Sequence, residues 1–152
     1  MAVDTFVRGI AERGLEFDIR EMDDTTHTAQ DAAQALGCGV EAIVKSLLFV
    51  DADGAPVLVL ASGPNRVDVE LVAAVVGSAL VMADAKTVKR VTGYSIGGVP
   101  PLGHPRALRT VMDETLMALP VVWAAAGSAR AVFPTEPARL AELTAATVAR
   151  VA

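Results

Sequence analysis

The apolar positions of this chain fall into short runs of two different periods, separated by polar punctuation. Over residues 4–13, Phe6, Val7 and Ile10 recur at helical spacing behind an acidic Asp4, and Gly14 supplies a stop. Residues 15–20 then alternate between apolar and charged, the period of a half-buried strand. A polar, turn-like segment at 23–27 leads to Thr28. Thr28 and Asp31 have the spacing of a capping box, which predicts a helix over residues 29–36 ended by Gly37. The β-branched and aromatic content of 43–50 predicts a strand. Asp51-Ala52-Asp53-Gly54 is a hairpin turn, and residues 57–61 return as its partner strand.

The same grammar continues downstream. A Gly-Pro-Asn turn at 62–66 precedes Asp68, which caps a helix over residues 69–76, and residues 80–82 suit a short strand. Asp84 caps a second short helix over 85–92, stopped by Gly93. Residues 94–105 are irregular and carry Gly97, Gly98, Gly103, Pro100, Pro101 and Pro105. Strands are expected at 110–113, 121–126 and 131–133. Thr135 is expected to cap a last helix, with Pro137 in its first turn, where a missing N–H does no harm. Repeats, linkers and low-complexity tracts are absent from the sequence. Hairpin-connected strands interrupted by short helices predict one α+β, or mixed α/β, domain over residues 1–152.

Composition narrows the class. The 152 residues suit one domain, and 53% hydrophobic against 20% charged residues is far from the signature of disorder, even though 28 of the apolar residues are alanines. No apolar run approaches the roughly 18–20 residues that cross a bilayer, so no membrane association is expected. Cys38 is the single cysteine, which excludes an internal disulfide and a multi-thiolate zinc site. The first residues lack a basic-then-apolar leader, and the expected location is the cytoplasm. A net charge of −5 argues against a broad grip on a duplex backbone, which calls for clustered Lys and Arg. It leaves open a grip on the end of a nucleic acid.

Two features stand out chemically. Alternation places Ile43, Lys45, Leu47 and Phe49 on one strand face and Val44, Ser46, Leu48 and Val50 on the other, so Lys45 interrupts a strand that is apolar on both sides. An unpartnered buried ammonium costs several kcal/mol. Either the lysine stem packs while its head reaches water at a sheet end, or the lysine faces a pocket for an anionic ligand. The second feature is the stretch 93–105, either a Gly/Pro surface connection or a fixed loop whose N–H groups orient a carbonyl or an oxyanion. His27 and His104 have no ligating neighbour at metal spacing, so neither metal nor cofactor is expected. His27 reads as a solvated loop residue, with a pocket-wall role as the minority reading. Met82, Met112 and Met117 read as core filler. Lys86, Lys89, Arg90, Arg106 and Arg109 flank the loop and suit either a solvated face or phosphate contacts.

Taken together, the strand Ile43-Val44-Lys45-Ser46-Leu47-Leu48-Phe49 and the loop Thr92-Gly93-Tyr94-Ser95-Ile96-Gly97-Gly98-Val99-Pro100-Pro101-Leu102-Gly103 resemble the YbaK-like aminoacyl-tRNA deacylases, which share their fold with the editing insertion of bacterial prolyl-tRNA synthetase. The resemblance runs over nearly the whole chain. It implies a mixed sheet curled into a partial barrel with helices around it. It also implies trans-editing hydrolysis of the ester of mischarged aminoacyl-tRNA, above all proline tRNA carrying a small wrong amino acid.

By position, Lys45 would anchor the terminal adenosine through phosphate, and the Gly97, Gly98 and Pro101 loop would place the aminoacyl carbonyl. His27, Ser46, Ser62, Val99, Pro100, Gly103 and His104 would line the substrate site. Water would be placed by the site and by the substrate's ribose hydroxyl, without a protein nucleophile. The implied partners are the tRNA acceptor end and a synthetase or elongation factor, with the chain a monomer or weak homodimer. Ser46 stands where the alanine-specific branch has Asn and the cysteine-specific branch Thr. Segment 129–135 lacks the acidic residue expected in the latter, so the edited amino acid stays open. The rival readings are a catalytically silent binding module of the same fold, sensing an amino acid, a nucleotide or a partner protein, and a lysine enzyme forming a Schiff base.

Overall fold

The computed structural model describes residues 2–23 and 28–152. Local signals decide most of the helices. Helix α1 (Ala2–Ala11) buries Phe6 and Ile10. In α2 (Ala29–Leu36) the Thr28 Oγ1 accepts from the Asp31 N–H at 3.1 Å, while an Asp31 carboxylate oxygen accepts from the Thr28 N–H at 3.2 Å. The predicted capping box is thus formed from both sides. Asp68 and Asp84 cap α3 (Val69–Val76) and α4 (Ala85–Thr92), and Gly77 and Gly93 end them in the left-handed conformation.

The strands are β1 (Arg20–Glu21), β2 (Val44–Asp51), β3 (Pro56–Ser62), β4 (Leu80–Met82), β5 (Arg109–Asp113), β6 (Val122–Ala125), β7 (Ala131–Thr135) and β8 (Thr147–Ala149). A five-stranded sheet runs β4-β2-β3-β5-β8 and a three-stranded one β1-β7-β6. The larger sheet is mixed: β2 pairs antiparallel with β3 and β4, whereas β3–β5 and β5–β8 are parallel. A bridge between Ile43 and Trp123 joins the sheets at the start of β2. The result is the expected curled mixed sheet with helices around it, left open rather than closed into a barrel.

Strand β3 is covered on both faces. Leu58 and Leu60 join Val44, Leu48, Met112, Phe133 and the α1 side chains in the main core between the sheets. Val57 and Val59 pack with Phe49, Val111 and the Val72 and Val76 of α3 in a second layer. Helix α2 lies over the sheet junction through Ala32, Ala33, Ile43, Trp123 and Val132. Among the described residues no helix is long and apolar enough to cross a membrane.

Three expectations are corrected, and two elements were not expected at all. The alternating segment 15–20 pairs only at Arg20, because Leu15, Phe17 and Ile19 pack on the core through their side chains, without a ladder partner among the described residues. Thr135 does not cap the last helix; it ends β7 opposite Val122, and α6 (Pro137–Thr144) starts from Glu136 without a side-chain cap. Helix α5 (Glu114–Met117) and β8 have no counterpart in the sequence reading. Met112 is core, but Met82 is 61% exposed and Met117 also reaches the surface.

Candidate functional site

The junction of the two sheets leaves a cavity of about 330 Å³. Its floor is the start of β2, one wall is α2, and another is the Trp123, Ala125 and Val132 of the smaller sheet. Ile96, Gly97 and Val99 close it from the loop after α4, and Met82, Ala83 and Val88 complete the rim. The lining is mainly apolar, with Lys45, Ser46 and Thr28 as its polar members. That combination of an apolar hollow and a few fixed polar groups is the usual form of a small-molecule site.

Of the residues singled out from sequence, the structure brings Lys45, Ser46, Gly97 and Val99 to this wall. Pro101, Gly103 and His104 instead line a second cavity of about 620 Å³ between α1, the same loop and the end of α6. Gly98 sits behind the first wall, against the backbone of Gly127 and Ser128. The Pro100 carbonyl is 2.7 Å from His104 Nε2; a carbonyl only accepts, so Nε2 carries the proton. Ser62 is fully buried away from the cavity, its hydroxyl donating to the Glu41 carbonyl at 2.6 Å. His27 lies outside the described residues.

Lys45 is half-buried, and its ammonium donates to the Asn65 carbonyl at 2.6 Å. Burial lowers its pKa from the ordinary lysine value, while the charge of Asp113 opposes the change. Asp113, only 1% exposed, ends β5 and gathers three donors. Its Oδ2 accepts from the Ser62 N–H at 3.0 Å and from Asn65 Nδ2 at 2.8 Å, and its Oδ1 from the Thr115 N–H at 3.0 Å. Burial opposes ionisation of this carboxyl, but the hydrogen bonds together outweigh it and hold the pKa below the usual aspartate value. Ser46 differs. Its hydroxyl is buried without a hydrogen-bond partner among the described residues.

The loop is shaped by its glycines. Gly97 has φ +91°, and the Gly98 N–H donates to the Ser95 carbonyl at 3.0 Å, so the turn folds over Ile96, which is 63% exposed at the rim. The Gly98 amide is thereby committed, and Pro100 and Pro101 have none to offer. Lys86, Lys89 and Arg90 stand exposed on α4, the helix whose Val88 lines the cavity.

Sequence reasoning missed Trp123, Ala125, Val132 and Ile96, and it missed the Asp113–Asn65 pair behind Lys45. A carboxylate closing the apolar strand 110–113 was the available signal for Asp113. None existed for the smaller sheet's contribution, which depends on how the sheets meet.

Fold and cavity together define an α+β domain of the kind that edits aminoacyl-tRNA: residues 23–143 match the aminoacyl-tRNA editing domain. The chain belongs to that family. Over 99% of its length it superposes, with a TM-score of 0.94 and 41% identity, on 96% of a protein proposed to be a trans-editing enzyme for prolyl tRNA synthetase. It is 28% identical to the uncharacterized protein YwhH of Bacillus subtilis (strain 168) over 127 residues, covering 84% of this chain and 81% of that protein. It is also 37% identical over 78 residues, 51% of this chain, to the proline--tRNA ligase of Maridesulfovibrio salexigens, of which the match spans 13%.

Proposed function

We propose that this chain is a free-standing deacylase that hydrolyses the ester of mischarged aminoacyl-tRNA, acting in the cytoplasm on proline tRNA bearing a small wrong amino acid. The observation that carries this reading is the small apolar cavity with a half-buried lysine and a glycine-turned loop on its wall. The 41% identity to a proposed prolyl trans-editing enzyme supports the same substrate class.

In this reading Lys45 binds a phosphate of the tRNA's acceptor end. An ammonium has three donors, and the Asn65 carbonyl takes one. The aminoacyl side chain enters the apolar hollow, and the amides of Gly97 and Val99 face its carbonyl. Water adds to that carbonyl carbon, the oxyanion is stabilised by amides, and collapse returns a proton to the departing ribose oxygen, freeing the amino acid. The pocket selects by size, which at about 1–3 kcal/mol per methylene separates small residues only coarsely.

The test is a deacylation panel on proline tRNA charged with Ala, Cys, Ser or Thr, beside non-cognate tRNAs. Release of at least one small amino acid is expected. Lys45→Ala should lower it about 100-fold, the scale of losing a hydrogen bond to a charged group, with the fold intact. No release from any charged tRNA would overturn the reading in favour of a binding module. Full activity in Lys45→Ala would remove Lys45 from the mechanism.

A further inference from the structure

We propose that Asp113 is a positioning residue for Lys45, acting through Asn65 to fix where the ammonium stands at the cavity. The proposal rests on Lys45 being the phosphate anchor, and it assigns a device that the anchor needs. A lysine side chain has four rotatable bonds and loses substantial rotamer entropy when its head is localised. Here the head is localised by a carbonyl, that of Asn65, at 2.6 Å. A carbonyl in a turn holds a fixed position only if the turn is itself tied down.

Asp113 ties it at both ends. One carboxylate oxygen takes the Ser62 N–H, where β3 ends, and the Asn65 amide, where the turn ends. The turn closes on itself through the Asn65 N–H and the Ser62 carbonyl at 2.9 Å. The other carboxylate oxygen takes the Thr115 N–H and so starts α5, whose Thr115 hydroxyl accepts a second contact from Asn65 at 3.1 Å. One buried carboxylate therefore locks β3, β5, α5 and the turn that presents the Asn65 carbonyl.

The arrangement also does electrostatic work. Neighbouring elements carry Glu41, Arg66 and Glu114, all solvent-exposed, while Asp113 is buried and acts on Lys45 directly. Its charge opposes part of what burial takes from the ammonium, without the direct ion pair that would occupy the donors a phosphate needs. Held behind Asn65 rather than in contact, the carboxylate favours the charged lysine and leaves its ammonium available.

The test reads Lys45 itself. The chain has only three lysines, Lys45, Lys86 and Lys89, so the side-chain NMR signal of Lys45 can be assigned with Lys45→Arg and titrated with alkali. Wild type, Asp113→Asn and Asn65→Ala are titrated, and their KM and kcat for deacylation are compared. In Asp113→Asn the Lys45 midpoint should move to lower pH and KM should rise about tenfold, with kcat changing less. In Asn65→Ala, where the carboxylate remains, KM should rise similarly while the midpoint moves less. A merely structural role would lower the melting temperature and leave the midpoint and the KM of the folded protein unchanged; that result overturns the proposal. Should Asp113→Asn fail to fold, an unchanged KM in Asn65→Ala overturns it alone. The titration needs no substrate. A wild type without deacylase activity would refute the enzymatic reading, and the midpoints would still decide whether Asp113 governs Lys45.

Discussion

Gly98 and Gly127 meet so closely that a Cβ on Gly98 would lie 2.8 Å from the Gly127 carbonyl oxygen. The opposing atoms are backbone, including the Ser128 Cα at 2.8 Å, and cannot rotate away. Any side chain here must push the 95–99 turn off its support and into the cavity. Gly98→Ala should therefore cost about 2 kcal/mol in denaturant unfolding, the usual scale of overpacking, and should lower kcat/KM at least tenfold. Gly97 differs, because its Cβ would find Ala129 at an ordinary 3.7 Å but its φ of +91° is unfavourable for a side chain. Gly97→Ala should cost about 1–2 kcal/mol through strain alone. Wild-type stability in Gly98→Ala would show that the loop is free to move away.

How far the sequence could be read follows from the range of the interactions. Helix ends were legible because Thr28 with Asp31, Asp68, Asp84 and the glycines behind them act over three or four residues. The β2–β3 hairpin was legible for the same reason, its turn held by Asp51 Oδ1 accepting from the Asp53 and Ala55 N–H groups at 2.9 Å. Strand β8 was not, since it exists only by parallel pairing with β5 some 36 residues back, Thr147 opposite Val111. Lys45 and the loop announced themselves as local anomalies. The split of that loop, with Gly97 and Val99 facing one cavity and Pro101 and His104 another, depends on α1 and on the 127–129 turn packing against opposite sides of it.

Ser46 is a place where stability and function should pull apart. Its buried hydroxyl lacks a partner among the described residues, and a polar group in that state costs roughly 1–3 kcal/mol. Ser46→Ala should raise the unfolding free energy by about 1 kcal/mol. It should also lower kcat/KM on charged tRNA, because Ser46 is a residue of the cavity wall, and a costly buried hydroxyl kept there is the kind of feature that a site retains at the expense of stability. A variant no more stable than wild type would mean that the hydroxyl is solvated.

Ala145 ends α6 with φ +51°, the one described non-glycine residue in the left-handed region. Its N–H caps the helix by meeting the Ala141 and Glu142 carbonyls, so the conformation is required by the cap rather than accidental. Ala145→Gly should remove the Cβ strain and stabilise the chain by about 0.5–1 kcal/mol, less than the strain itself because glycine also frees the unfolded chain. An urea midpoint that falls instead would show that the unfolded-state entropy outweighs the strain.

Acid should unfold the protein in two stages with separate causes. Burial lowers the His104 pKa below the ordinary 6.5, the nearby Arg13 charge acts in the same direction, and the bond to the Pro100 carbonyl opposes them. The folded state thus holds this proton less tightly than the unfolded state. Its contribution is complete above the ordinary imidazole value and is lost as pH falls through the lower folded value. Asp113, with its pKa held below the ordinary 3.8, acts by the same sign in a lower window: its contribution is present above that value and disappears as pH falls through the folded pKa. Denaturant unfolding of wild type and His104→Gln, followed downward from neutral pH, separates the stages. The variant should show a shallower loss of stability across the imidazole range and an undiminished loss below it. Identical slopes in the upper range would take His104 out of the acid response. A flat lower range in wild type would contradict an ionised Asp113 at the base of the Lys45 turn.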